Sequence, residues 1–164
     1  MPRHLVLIFT IATIVAPLRA DPYTLDDLAR RPWCELEAIY RAADAGTAPC
    51  GFMRGHVVFR DDDFLAGPRS KLNNFAWQGK HFSDGALINQ FRGVKMIRAK
   101  VAPGDSWLDG RPALILDYHH TSLLWFDVRD EMREVSPGVY VGCMYLRRPH
   151  EAKLKVMFIL EACR

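Results

Sequence analysis

From residue 50 onward the chain is a succession of short apolar, β-branched and aromatic runs broken by Gly, Pro, Asn and Asp: residues 53–60, 75–82, 86–91, 94–102, 113–118, 123–135, 139–147 and 153–162. Runs of this length with no helical stretch between them predict antiparallel strands, and such a sheet exposes two unpaired edges unless it closes on itself. The expected fold is therefore mainly β: an antiparallel barrel of about eight strands, or a strongly curved sheet, spanning residues 51–164. In the last run Leu154, Val156, Phe158, Leu160 and Ala162 share one face, with Lys153, Lys155 and Glu161 on the other. Met157 and Ile159 interrupt the polar face, so something is expected to cover the barrel there.

Residues 21–50 supply the candidate cover. Thr24 followed by Asp27 is a helix start, with the hydroxyl accepting from the backbone and the carboxylate favoured in the first turn. A second helix is expected to open at Pro32, repeat apolar residues at Trp33, Leu36, Ile39, Tyr40 and Ala43, and close at Gly46. Such an amphipathic helix either packs on the barrel or caps it.

The first 20 residues stand apart. Arg3 and His4, an apolar run from Leu5 to Ala16, and a small residue at Ala20 have the layout of a secretory signal peptide, and the run is short for a membrane span. Export to the periplasm or beyond is expected, with no stable membrane span after cleavage. An uncleaved anchor is the competing reading. Cleavage before Asp21 leaves 20 basic against 19 acidic residues, a balance of +1, and these are interleaved, which argues against a nucleic-acid partner. Cys34, Cys50, Cys143 and Cys163 allow three complete disulfide pairings in an oxidising compartment, and sequence does not choose among them. No C-x-x-C spacing is present, so neither a structural metal nor a cofactor is expected. Residues 61–73, the longest irregular stretch, open with three aspartates without the ordered spacing of an EF-hand loop; a long loop of this kind often lies across a barrel mouth, but three consecutive aspartates are more often a plain solvated loop.

Charge is densest at Arg129, Asp130, Glu131, Arg133 and Glu134, just before a Pro137-Gly138 turn and the strand bearing Val139, Tyr140, Val141 and Tyr145. Strand alternation groups Asp130 with Phe126, Val128 and Met132, and sets Arg129, Glu131 and Arg133 opposite. Asp130 is thus expected to point inward, where a carboxylate needs a cation such as Lys80, Arg98 or a strand-end arginine. It serves either as half of a structural ion pair or as a binding or catalytic group.

Three further motifs carry candidates. In Trp77-Gln78-Gly79-Lys80 the glycine permits a close approach of backbone or ligand. In Ser106-Trp107-Leu108-Asp109-Gly110-Arg111-Pro112 the Asp-Gly pair signals a hairpin turn, and Trp107 is placed at a barrel end. In Asp117-Tyr118-His119-His120 the first and third residues fall on one face and offer, with Asp130, an acid or base. No G-x-S-x-G, phosphate loop, dinucleotide fingerprint or zinc-protease helix appears.

These motifs in this order, W-x-G-K-x-F, S-W-L-D-G-x-P, L-D-Y, R-D-E-M-R-E-V-x-P-G-V-Y-V-G and a closing F-x-L-E, resemble a set of small uncharacterised bacterial proteins that are often exported. The resemblance covers residues 35–162. More loosely, the Trp77 to Phe82 segment and the hairpin from Val139 to Phe158 resemble lipocalin-like barrels of the G-x-W-x-G type, although residues 51–55 read GFMRG. What the lipocalin-like resemblance implies is a carrier for a small apolar or amphipathic ligand, with Trp77, Lys80, Trp107, Tyr118, Arg129, Asp130, Tyr140 and Tyr145 as candidate binding residues. Lys80, Arg129 and Asp130 are expected near its polar head. The alternatives are an isomerase, cyclase or hydrolase on the same fold, with Asp117, His119 and Asp130 as catalytic candidates, or a structural domain of the cell envelope. The oligomeric state is left open.

Overall fold

The computed structural model describes residues 22–60, 76–123 and 125–163. The expected signal segment and the aspartate-rich stretch at 61–73 lie outside them. Two helices, α1 (Leu25–Leu28) and α2 (Trp33–Ala42), precede eight strands: β1 (Gly51–Val58), β2 (Trp77–Ser83), β3 (Ala86–Phe91), β4 (Val94–Asp105), β5 (Pro112–Asp117), β6 (Val128–Ser136), β7 (Val139–Leu146) and β8 (Lys153–Ala162). Each strand pairs antiparallel with the next, and β1 pairs with β8 to close the barrel, Met53 standing opposite Ala162 and Val58 opposite Met157. Closure leaves no sheet edge, as the succession of short runs requires. The sixth run differs from expectation: residues 123 and 125–127 lie outside the sheet, and the strand starts only at Val128. Phe126 accordingly does not share a strand face with Asp130.

The wall separates two apolar clusters. Inside stand Met53, Phe82, Leu87, Leu114, Leu116, Met132, Tyr140, Phe158 and Leu160. Outside, Leu25 and Leu28 of α1 and Trp33, Leu36 and Tyr40 of α2 pack on Val139, Val141, Cys143, Met157 and Ile159. Met157 and Ile159 are thus covered by the helices, and burying each such side chain contributes about 1.5–3 kcal/mol. Thr24 caps α1 in a reciprocal box with Asp27. Pro32 is the N-cap of α2 rather than its first residue, and the helix stops at Ala42, because Ala43 turns extended well before Gly46.

Beyond α2 the chain is fastened to one end of the barrel: Asp44 bridges to Glu134, and the Tyr140 hydroxyl donates to the Thr47 carbonyl at 2.8 Å. That end, with the β2–β3 and β6–β7 turns, is closed. The opposite end gathers the β3–β4 turn, the β5–β6 loop and the β7–β8 loop, and among the described residues it is open, the β1–β2 connection at this end lying mostly outside them.

Bulges, among them one in β2 and one in β8, reset which residues face inward. In β2 the register shifts between Trp77 and Gly79, so Gln78 is the extra residue. Trp77 and Lys80, three apart, would face opposite ways in a regular strand, and the bulge turns both to the interior. Gly79 (φ +139°) makes this possible, since a Cβ there would stand 1.9 Å from the Met53 carbonyl oxygen. In β8 the register shifts where Met144 and Tyr145 face Val156 and Leu154. This corrects the alternation read from the sequence: Leu154 packs outside with the helices, and the bulged Lys155 lines the interior near the open end.

Candidate functional site

Behind the open end lies a cavity of about 390 Å³, walled by Val57, Phe59, Trp77, Phe91, Trp125, Met144, Val156 and Phe158, with Lys80, Asn89, Asp130 and Lys155 as its polar members. Gly142 of β7 gives the Phe158 ring its place, since a Cβ there would stand 2.2 Å from the ring. At the floor is a hydrogen-bonded group drawn from four strands and the residue after β5. Lys80 Nζ donates to Asp130 Oδ2 at 3.0 Å, to the Tyr118 hydroxyl at 2.7 Å and to Asn89 Oδ1 at 3.0 Å. All three of its protons are thereby used. The ammonium also stands 5.2–5.5 Å from the ring centroids of Trp77, Tyr118 and Phe158, within cation–π range.

The partners of Lys80 are themselves held. Trp77 Nε1 donates to Asn89 Oδ1 at 3.1 Å, and Asn89 Nδ2 donates to the Ile97 carbonyl at 2.9 Å and to the Tyr118 oxygen at 3.2 Å. The Ile97 carbonyl is aimed there by a bulge in β4, with Ile97 at φ +62°. That conformation in a β-branched residue costs on the order of 1–3 kcal/mol. Tyr118 donates to Asp130 Oδ2 at 3.1 Å. Burial, reinforced by the Asp130 charge, holds the Tyr118 hydroxyl protonated well above its usual range. Burial pushes the Lys80 pKa down, and the carboxylate opposes that shift. One atom of the group is left over: Asp130 Oδ1 is buried and accepts no hydrogen bond.

Of the residues singled out by sequence, Trp77, Lys80, Tyr118 and Asp130 meet in this cavity. Tyr140 is also interior, but its hydroxyl is engaged by Thr47 at the closed end. Arg129, Trp107 and Tyr145 do not join them. The expectation of Arg129 beside Lys80 and Asp130 is corrected by strand alternation, which puts Arg129 on the outer surface of the wall. There Arg129 Nη1 binds Glu131 Oε2 at 2.5 Å, and its guanidinium stacks 4.1 Å over the Trp107 ring. Trp107 meets Tyr145 edge-on, outside the barrel and not at its end. Glu131, fully buried, also accepts from Tyr40, Ser106 and the Trp107 backbone. Arg133, equally buried, takes both oxygens of Asp109 at 2.7 Å and the carbonyls of Tyr40, Pro112 and Arg111. The dense charge of the 129–134 segment is thus neither solvated nor one site. Its outward members fasten α2 and the β4–β5 loop to the wall.

Asp117 and His119 lie at the rim, away from Asp130. Against the opposing effect of partial burial, the His119 backbone N–H and the Arg147 guanidinium lower the Asp117 pKa. The His119 ring instead meets the Phe126 carbonyl at 3.1 Å, so the two side chains form no acid–base pair. Asn89, Phe91, Trp125, Met144 and Phe158 were not anticipated at the site. An asparagine within ALINQF was the available signal, because Asn is disfavoured in strands unless a partner holds it. Among the described residues no cluster of His, Cys, Asp and Glu is arranged to hold a metal, and no helix is long and apolar enough to cross a membrane.

No family model and no curated protein matches this chain. A crystal structure of a protein from Thermomonospora curvata is similar in fold, with a TM-score of 0.57 at 20% identity over 82% of this chain and 89% of that one.

Proposed function

We propose that the protein is an exported carrier holding one small, largely apolar molecule in the barrel, with a hydroxyl or N–H of that molecule donating to Asp130 Oδ1. The observation that carries this reading is the unpartnered oxygen. A buried carboxylate normally has both oxygens satisfied, yet here Oδ2 accepts twice and Oδ1 not at all, on a residue that lines the aromatic cavity. A ligand donor completes the set. A ligand carboxylate does not fit at the floor, because Lys80 has no proton left to offer and Asp130 would repel it. The Lys80–Asp130 pair carries no net charge, which suits an uncharged inner end. The cavity volume lies within the range of small-ligand sites. The export half of the reading rests on the pattern of residues 1–20.

The test is mass spectrometry of organic extracts from protein purified without detergent, comparing the parent with Asp130→Asn. The asparagine carboxamide keeps an oxygen for Lys80 and Tyr118 and turns its NH2 toward the cavity, where it meets a ligand donor with another donor. The reading predicts a copurifying amphipathic compound in the parent that is depleted in a folded variant. Equal loading of the two proteins, or none in either, refutes it.

A further inference from the structure

We infer that the cargo carries a carboxylate at its outer end and that Lys155 receives it, which rests on the carrier reading above and narrows the cargo to an amphipathic acid. The bulge in β8 is what brings this lysine inside. Next to the inward Val156, a regular strand would turn it away from the cavity and leave its charge in water. Instead it is half-buried and shares the cavity wall with Val57, Phe59, Met144 and Val156.

The described lining of the cavity holds two cations, Lys80 and Lys155, against one acid, Asp130, a balance of +1. Lys80 and Asp130 answer each other at 3.0 Å. Among the described residues nothing does the same for Lys155: it enters no hydrogen bond or ion pair, and Asp130 Oδ1 accepts nothing from it. An ammonium held among apolar side chains is favoured by a counter-charge, and this cavity leaves that to its contents. The position suits one molecule held at both ends. Asp130 stands opposite Met144 and Met144 opposite Val156, so Lys155, one residue nearer the open end, lies two strands from Asp130, about 10 Å around the wall. A phosphate would bring nearly two negative charges to a single ammonium. A carboxylate brings one, and the sum in the cavity becomes zero.

The test is isothermal titration calorimetry of the full chain with ω-hydroxydecanoate, decane-α,ω-diol and ω-hydroxydecyl phosphate, beside negative-ion mass spectrometry of the copurified extract. Lys155→Met keeps the unbranched stem and removes the charge, and Lys100→Met removes a charge from an exposed position of β4 as the control. The extract is expected to yield an acid, and the hydroxy acid to bind the parent more tightly than the diol. Lys155→Met is expected to lower the ratio of acid to diol affinity about fivefold while keeping diol affinity, with no change of that ratio in Lys100→Met. A neutral cargo, an equal ratio in parent and Lys155→Met, or tighter binding of the phosphate than of the carboxylate overturns the inference and leaves the carrier reading standing. A parent that yields no cargo and binds none of the probes refutes both.

Discussion

Asp130 and Glu131 are chain neighbours whose carboxylates lie on opposite sides of one barrel wall: Asp130 meets Lys80 inside, and Glu131 meets Arg129 and Tyr40 outside. Each is buried, so each needed its own cation, and one peptide unit separates a cavity from a structural staple.

For the inner pair, Asp130→Ala leaves the Lys80 ammonium buried without its counter-charge and is expected to cost about 3–5 kcal/mol in urea unfolding. Replacing both partners, as in Lys80→Met with Asp130→Leu, removes both buried charges and is expected to cost less than the single change. A double variant less stable than Asp130→Ala contradicts the pairing.

For the outer pair, Glu131→Gln presents an amide NH2 where Arg129 and the Trp107 N–H both donate. A loss of roughly 3–5 kcal/mol is expected, with the extractable cargo of the surviving folded protein unchanged. Loss of cargo at full stability would show that the wall does not insulate the two sides.

Gly79→Ala combines a φ of +139° with a Cβ 1.9 Å from a backbone oxygen that cannot swing away. Destabilisation of about 4 kcal/mol or more is expected, read as loss of soluble, cooperatively unfolding protein. The side chain of Gln78 is exposed and, among the described residues, bonds Gln90 and the Gly93 N–H, so Gln78→Ala should stay within about 1 kcal/mol of the parent.

Alkaline pH tests the tyrosines. Burial raises the pKa of Tyr40, Tyr118 and Tyr145 well above the model-peptide 10, and that of Tyr140 to about 12. An acid whose folded pKa is raised holds its proton more tightly folded than unfolded. Its contribution is complete below pH 10 and is lost as pH rises through the folded value. Stability is therefore expected to fall from pH 10 upward, with the tyrosinate absorbance of these four residues appearing only as the chain unfolds. Ionisation of most tyrosines in a still-folded chain would contradict this.

The strands and their closure were legible because apolar period and turn residues survive as sequence patterns, and the inward Asp130 with Lys80 as one of its possible cations followed from alternation and charge. What was hidden was parity. Bulges at Gln78, Ile97 and Lys155 each move a residue to the other face without any mark in hydropathy, and Lys155 was assigned outward for that reason. Arg129 looked like a ligand-binding group because sequence shows charge density but not that a helix and a loop will bury the outer side of β6. Trp125 and Phe126 read as strand continuation, since an apolar run does not reveal that it leaves the sheet.

On the carrier reading proposed above, the fastening of Thr47 and Asp44 at one end has a kinetic consequence. A vessel stopped at the bottom exchanges its contents through a single neck, so an incoming molecule cannot push the resident one through. Departure must precede replacement, and the rate at which one cargo gives way to another is then set by the resident alone, indifferent to how much of its rival waits outside.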